Sequence, residues 1–157
     1  MNQKSAAATH EPLAHTAPLR LSTLFPTTRH GAHAARHAAE RWLAEHLAPE
    51  GRDGDNDLVA TITLLVAELT ANAALHGRVR GRAARLVLTL DATAVRVEVT
   101  DARGDRLPVK CPADGGESGR GLFLVEALAD DWGVRPYPPG GKTVWAALRR
   151  RQTRSPL

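Results

Sequence analysis

A single cysteine, Cys111, stands in the 157-residue chain. It has no partner for an internal disulfide and no companion thiol for a zinc site, so neither device holds this fold together. Aromatic residues are equally sparse, with 3 Trp, 1 Tyr and 2 Phe, which leaves little to stack on exposed bases. No internal repeat is evident. Residues 1–17 are small, polar and proline-containing. They lack the continuous apolar core of a secretion signal and are expected to form a disordered tail. No apolar run approaches the length of a membrane span. These absences point to a soluble protein of a reducing cytosol, with no membrane and no direct nucleic-acid role.

What is present supports one domain, assigned to residues 18–150, because 43% hydrophobic residues suffice for a core in a chain of this length. The formal charge is +4, and much of the excess lies in Arg149, Arg150, Arg151 and Arg154. Residues 151–157 are read as a solvated basic tail, with phosphate contact as the competing reading.

Periodicity and turn residues divide the domain. Leu19 to Phe25 alternates like a half-buried strand that Pro26 ends. Thr27 or Thr28 then caps a long helix with Ala34, Ala35, Ala38, Ala39, Trp42, Leu43 and Leu47 as its inner face. Asp55 or Asp57 opens a second helix, which Gly77 stops. Arg85 to Asp91 and Val95 to Thr100 form a hairpin around Ala92-Thr93, and Trp132 to Tyr137 and Thr143 to Leu148 supply two further strands. An apolar helix from Gly121 to about Ala129 lies between the two strand pairs. Helices and antiparallel-leaning strands in separate runs predict an α/β two-layer sandwich.

The second helix carries the most informative pattern. Ile62, Leu65, Val66, Leu69 and Ala73 form its buried stripe, and Glu68, Asn72 and His76 follow one another at i, i+4 and i+8 along the stripe's edge. An edge position half covers a polar group and leaves it open to a ligand. Three weaker motifs accompany this line. Asp101 ends a strand, either as an ordinary turn former or as an acceptor for an exocyclic amine such as that of adenine. Gly115 to Gly121 leads into a helix, where free N–H groups attract phosphate oxygens, although Ser118 as a helix cap explains the segment equally well. Gly140-Gly141-Lys142-Thr143 fails as a P-loop, because Pro136 stands where the earlier glycine belongs and a strand follows. It is a hairpin turn that places Thr143 at the start of the last strand. The dinucleotide fingerprint is also absent, since Leu124 replaces its third glycine. His33 and His37 share a helix face without a third ligand and are read as surface histidines.

In order and spacing, Glu68, Asn72 and His76, then Asp101, then Ser118 to Val125, then Gly141 to Thr143 resemble the GHKL, or Bergerat-fold, ATP-binding superfamily. More narrowly, residues 19–150 are similar to the anti-sigma regulatory factor branch, the RsbW-like serine/threonine protein kinases common in actinobacteria. The resemblance implies helices packed on one face of a mixed, mostly antiparallel sheet. It implies Asn72 as the Mg²⁺ ligand beside ATP, Glu68 as the general base, and Asp101 on the adenine amino group with Thr143 supporting that edge. Gly119 and Gly121 would form the phosphate lid, with Arg120 adding charge. The family's first glycine box has glycines two and four residues after the Asp, whereas Arg103 and Asp105 stand there and Gly104 lies between them. By the same resemblance the partners are an anti-sigma-factor antagonist and a sigma factor, and the protein is a homodimer. A nucleotide-binding interaction module without kinase activity is the alternative. A histidine-kinase catalytic domain lacks the preceding dimerisation and phosphoacceptor helix pair.

Overall fold

A computed structural model describes residues 16–47, 55–106 and 120–151. The elements run β1 (Leu19–Pro26), α1 (Arg29–His46), α2 (Asp55–His76), β2 (Ala83–Leu90), β3 (Ala94–Asp101), α3 (Arg120–Leu128), β4 (Asp131–Tyr137) and β5 (Gly141–Arg149). The strands form one sheet in the order β1-β2-β3-β5-β4, and every neighbouring pair is antiparallel. The sheet is therefore not mixed, as the resemblance implied. The last strand inserts between β3 and β4, so the only out-of-order neighbour still runs antiparallel.

Two-residue alternation builds the core. Leu86, Leu88 and Leu90 pair in register with Val99, Val97 and Val95, which pair in turn with Val144, Ala146 and Leu148. All nine are buried in one cluster with Ala35, Ala39 and Leu43 of α1 and Ile62, Leu65, Val66 and Leu69 of α2. The helices thus cover one sheet face, as a two-layer sandwich requires. The β2–β3 hairpin is closed by the Asp91 side chain, whose Oδ1 accepts the Thr93 N–H (2.7 Å), the Thr93 hydroxyl (2.8 Å) and the Ala94 N–H (2.9 Å).

Thr28 is the N-cap of α1 and accepts the Gly31 N–H at 3.0 Å. The helix buries Gly31, Ala35, Ala39 and Leu43, whereas Ala34 is exposed and Ala38 and Trp42 are only half-buried. The covered stripe is thus narrower than the expected face. At its start the chain turns so sharply from β1 that a Cβ on Gly31 would collide with the Pro26 carbonyl oxygen.

α2 has 22 residues, and an 18-residue stretch of it has a mean hydropathy of 1.8, long and apolar enough to cross a membrane by length and composition, against the expectation of no such run. The helix lies between α1 and α3 on the sheet and buries Ile62, Leu65, Val66, Leu69 and Ala73 in the core, whereas Leu64 and Leu75 are exposed. Gly77 does end it, with its N–H donating to the Ala73 carbonyl at 2.9 Å, but not through a left-handed residue. Among the described glycines only Gly81 and Gly140 have positive φ, each 76°. Gly77 is needed for space: a Cβ there would lie 2.5 Å from Asp101 Cγ and Oδ2.

Candidate functional site

Antiparallel pairing gathers four chain ends at one edge of the sheet: Pro26 of β1 beside Ala83 of β2, and Asp101 of β3 beside Lys142 of β5. Gly77 brings the C-terminus of α2 against Asp101 at this edge. The helix rises about 1.5 Å per residue, so Asn72 stands about 7–8 Å and Glu68 about 13–14 Å along its axis from Gly77. Glu68, Asn72 and His76 are all half-buried. Among the described residues none of the three side chains has a hydrogen-bond or ion-pair partner. The line therefore presents uncommitted polar groups at graded distances from Asp101.

Asp101 is committed. Its side chain is buried, and Oδ1 accepts the Arg103 N–H at 2.8 Å. Lys142, also buried, bonds Oδ1 at 3.0 Å and Oδ2 at 2.9 Å, and donates to the Arg103 carbonyl at 2.8 Å. Two charges taken from water together require such complete pairing. Sequence reasoning missed Lys142, although a signal was there: it is in phase with the inward residues Val144, Ala146 and Leu148. A lysine at an inward strand position calls for a buried carboxylate.

The same alternation corrects the expectation for Thr143. Its hydroxyl lies 2.7 Å from that of Thr100, across the β3–β5 pair and on the sheet face opposite Asp101. Thr143 cannot support the base edge directly, and Lys142 occupies the position facing Asp101. Gly104 is likewise packed inward. Its N–H donates to Gly140 at 2.8 Å, and a Cβ would stand 2.6 Å from the Gly141 carbonyl, so it seats the Asp101 turn on the β4–β5 turn. The residues replacing the first-box glycines pair with each other, Arg103 Nε and Nη2 each 2.9 Å from an Asp105 oxygen. This surface pair holds the Asp105 carboxyl below its usual range and the Arg103 guanidinium above its own.

Gly119 lies outside the described residues, and Arg120 and Gly121 open α3, which is anchored by buried Leu122 and Val125. His33 and His37 do meet, Nε2 to Nε2 at 2.9 Å, with Glu40 3.1 Å from His37. Among the described residues no group of three His, Cys, Asp or Glu could hold a metal. A separate groove of about 390 Å³ opens at the same sheet edge, lined in part by Thr28, Arg78, Arg80, Gly81 and Arg82. Arg78, Arg80 and Arg82 give this groove a positive potential.

The chain matches the family model of the histidine kinase-like ATPase domain over residues 25–148. It belongs to that family. The match runs from β1 into β5 and takes in every element of the site. The fold is thus a GHKL-type, kinase-like ATP-binding domain, and the wall formed by α2 and Asp101 is its candidate nucleotide site. A comparison with curated proteins finds no match.

Proposed function

We propose that this ATP-binding domain is a serine/threonine protein kinase of the RsbW-like, anti-sigma type, acting in the cytoplasm on a small anti-sigma-factor antagonist within a partner-switching circuit. The carrying observation is the pair Glu68 and Asn72: half-buried, one helical turn apart, and free of partners among the described residues. An uncommitted carboxylate at a half-covered position suits a general base, and a neutral carboxamide oxygen suits a Mg²⁺ that takes its negative ligands from phosphates. ATP supplies the transferable phosphoryl group when bound. Asn72 would hold the metal, Glu68 would accept the proton of the antagonist's Ser or Thr hydroxyl, and Asp101 would receive the adenine amino group. The start of α3, at Arg120 and Gly121, would meet the phosphates. Phosphoryl transfer needs mainly positioning and charge neutralisation, which this small set provides.

Incubation with Mg-ATP and the cognate antagonist is expected to label the antagonist, and Glu68→Ala and Asn72→Ala each abolish the labelling. Undiminished transfer in both variants refutes the kinase reading. One observation favours a second reading, a nucleotide-binding module that regulates a partner by binding, without kinase activity: Arg103 and Asp105, which stand in place of the first-box glycines, pair with each other beside Asp101. ATP then acts as an ordering ligand for the partner surface. Single-turnover transfer, measured where binding is shown independently, separates the two.

A further inference from the structure

We propose that Lys142 sets the base specificity of the nucleotide site by leaving Asp101 a single free acceptor position. The inference rests on the reading of Asp101 as the base-recognition group of this ATP-binding domain. An ionised carboxylate offers about four lone-pair positions and, left free, accepts two parallel N–H groups from one ligand. Here Oδ1 accepts from both the Arg103 N–H and Lys142 Nζ, and Oδ2 accepts from Lys142 Nζ. Among the described residues, one position remains, on Oδ2. That oxygen packs against Gly77, where a Cβ would stand 2.5 Å from it. Lys142 has no capacity left for the ligand, because its three N–H groups meet Oδ1, Oδ2 and the Arg103 carbonyl.

The number of free acceptor positions decides which bases are read. Adenine directs one amino N–H toward an acceptor, and a one-position carboxylate satisfies it. Guanine offers two parallel N–H groups, from its ring and its 2-amino group, and needs both oxygens. Hypoxanthine keeps the ring N–H and lacks the amino group. Lys142 therefore removes the advantage guanine would have over hypoxanthine at a bare carboxylate. It is a positioning residue that, with the Arg103 N–H, denies guanine its second hydrogen bond.

Competition of ATP, GTP and ITP against a fluorescent ATP analogue tests this on the full chain. In the wild-type protein GTP and ITP bind within about threefold of each other, because each has one ring N–H for the single free position and neither gains a second bond. In Lys142→Met, GTP gains about tenfold over ITP, while a merely structural role would weaken all three nucleotides together. GTP binding the wild type tenfold more tightly than ITP overturns the proposal, as does an unchanged GTP-to-ITP ratio in a folded Lys142→Met. The wild-type comparison decides alone where the variant does not fold. Failure of the wild type to bind ATP at all is a different result: it overturns the nucleotide reading on which the proposal rests.

Discussion

Replacing Gly77 by alanine inverts the sign of an ordinary helix-end substitution. At a position with negative φ and open space, Gly→Ala stabilises by about 0.4–1 kcal/mol, because the unfolded chain loses freedom. Gly77 has no positive φ, so backbone geometry alone predicts that gain. The added methyl, however, would meet Asp101 Cγ and Oδ2 at 2.5 Å and Cβ at 2.7 Å, where ordinary contact begins at 3.4 Å. Asp101 has little freedom to yield, since Lys142 and the Arg103 N–H fix both oxygens. Overpacking of this kind costs about 1–3 kcal/mol, and loosening a buried ion pair adds part of the roughly 3–5 kcal/mol of its full rupture. We expect Gly77→Ala to destabilise by about 2–4 kcal/mol, read from urea midpoints at constant m and as a fall in Tm of roughly 8–15 °C. Gly81→Ala is the control. With φ +76° and nothing within 4 Å, it carries backbone strain alone and should cost about 1 kcal/mol. A Gly77→Ala protein as stable as the wild type, or more so, would falsify the contact between the end of α2 and Asp101.

Three other outcomes follow from the same geometry. Lys142→Met leaves the Asp101 charge buried without its cation and should cost about 3–5 kcal/mol, measurable by chemical denaturation; a cost below about 1 kcal/mol would show the pair to be solvated. Thr143→Val strands the Thr100 hydroxyl and should lose about 1–2 kcal/mol while ATP affinity stays within about threefold, because the two hydroxyls face away from Asp101. Asp91→Ala should lose about 1 kcal/mol at neutral pH, since three hydrogen bonds at the exposed hairpin turn are removed. Those bonds, led by the Thr93 N–H, hold the Asp91 carboxyl below its ordinary value of 3.8. A depressed folded-state pKa gives stability that is full above the unfolded value and lost as pH falls through the folded one. The gap between wild type and Asp91→Ala should therefore close only below about pH 4, and a gap that closes nearer neutrality contradicts the turn geometry.

Much of the fold was legible because its signals are local. Alternation in Leu86–Leu90 and Val95–Val99, the Thr28 cap, the hairpin at Asp91 and the stripe of α2 each depend on residues a few positions apart. The line of Glu68, Asn72 and His76 follows from helix period alone, and the structure leaves all three half-buried on α2. What periodicity left open was the side of the sheet each β5 residue faces relative to Asp101. That depends on the register of β3 against β5, strands more than 40 residues apart, which puts Lys142 opposite Asp101 and Thr143 opposite Thr100.

The sequence by itself thus determined the elements, the polar line on α2 and the kind of domain they build. Only the tertiary structure decided that Asp101 is shared between Lys142 and whatever ligand it receives, and that Gly77 is glycine for want of space. Local spacing specifies which groups a helix or strand can present. Which of them are already satisfied by a partner depends on contacts that packing alone brings together.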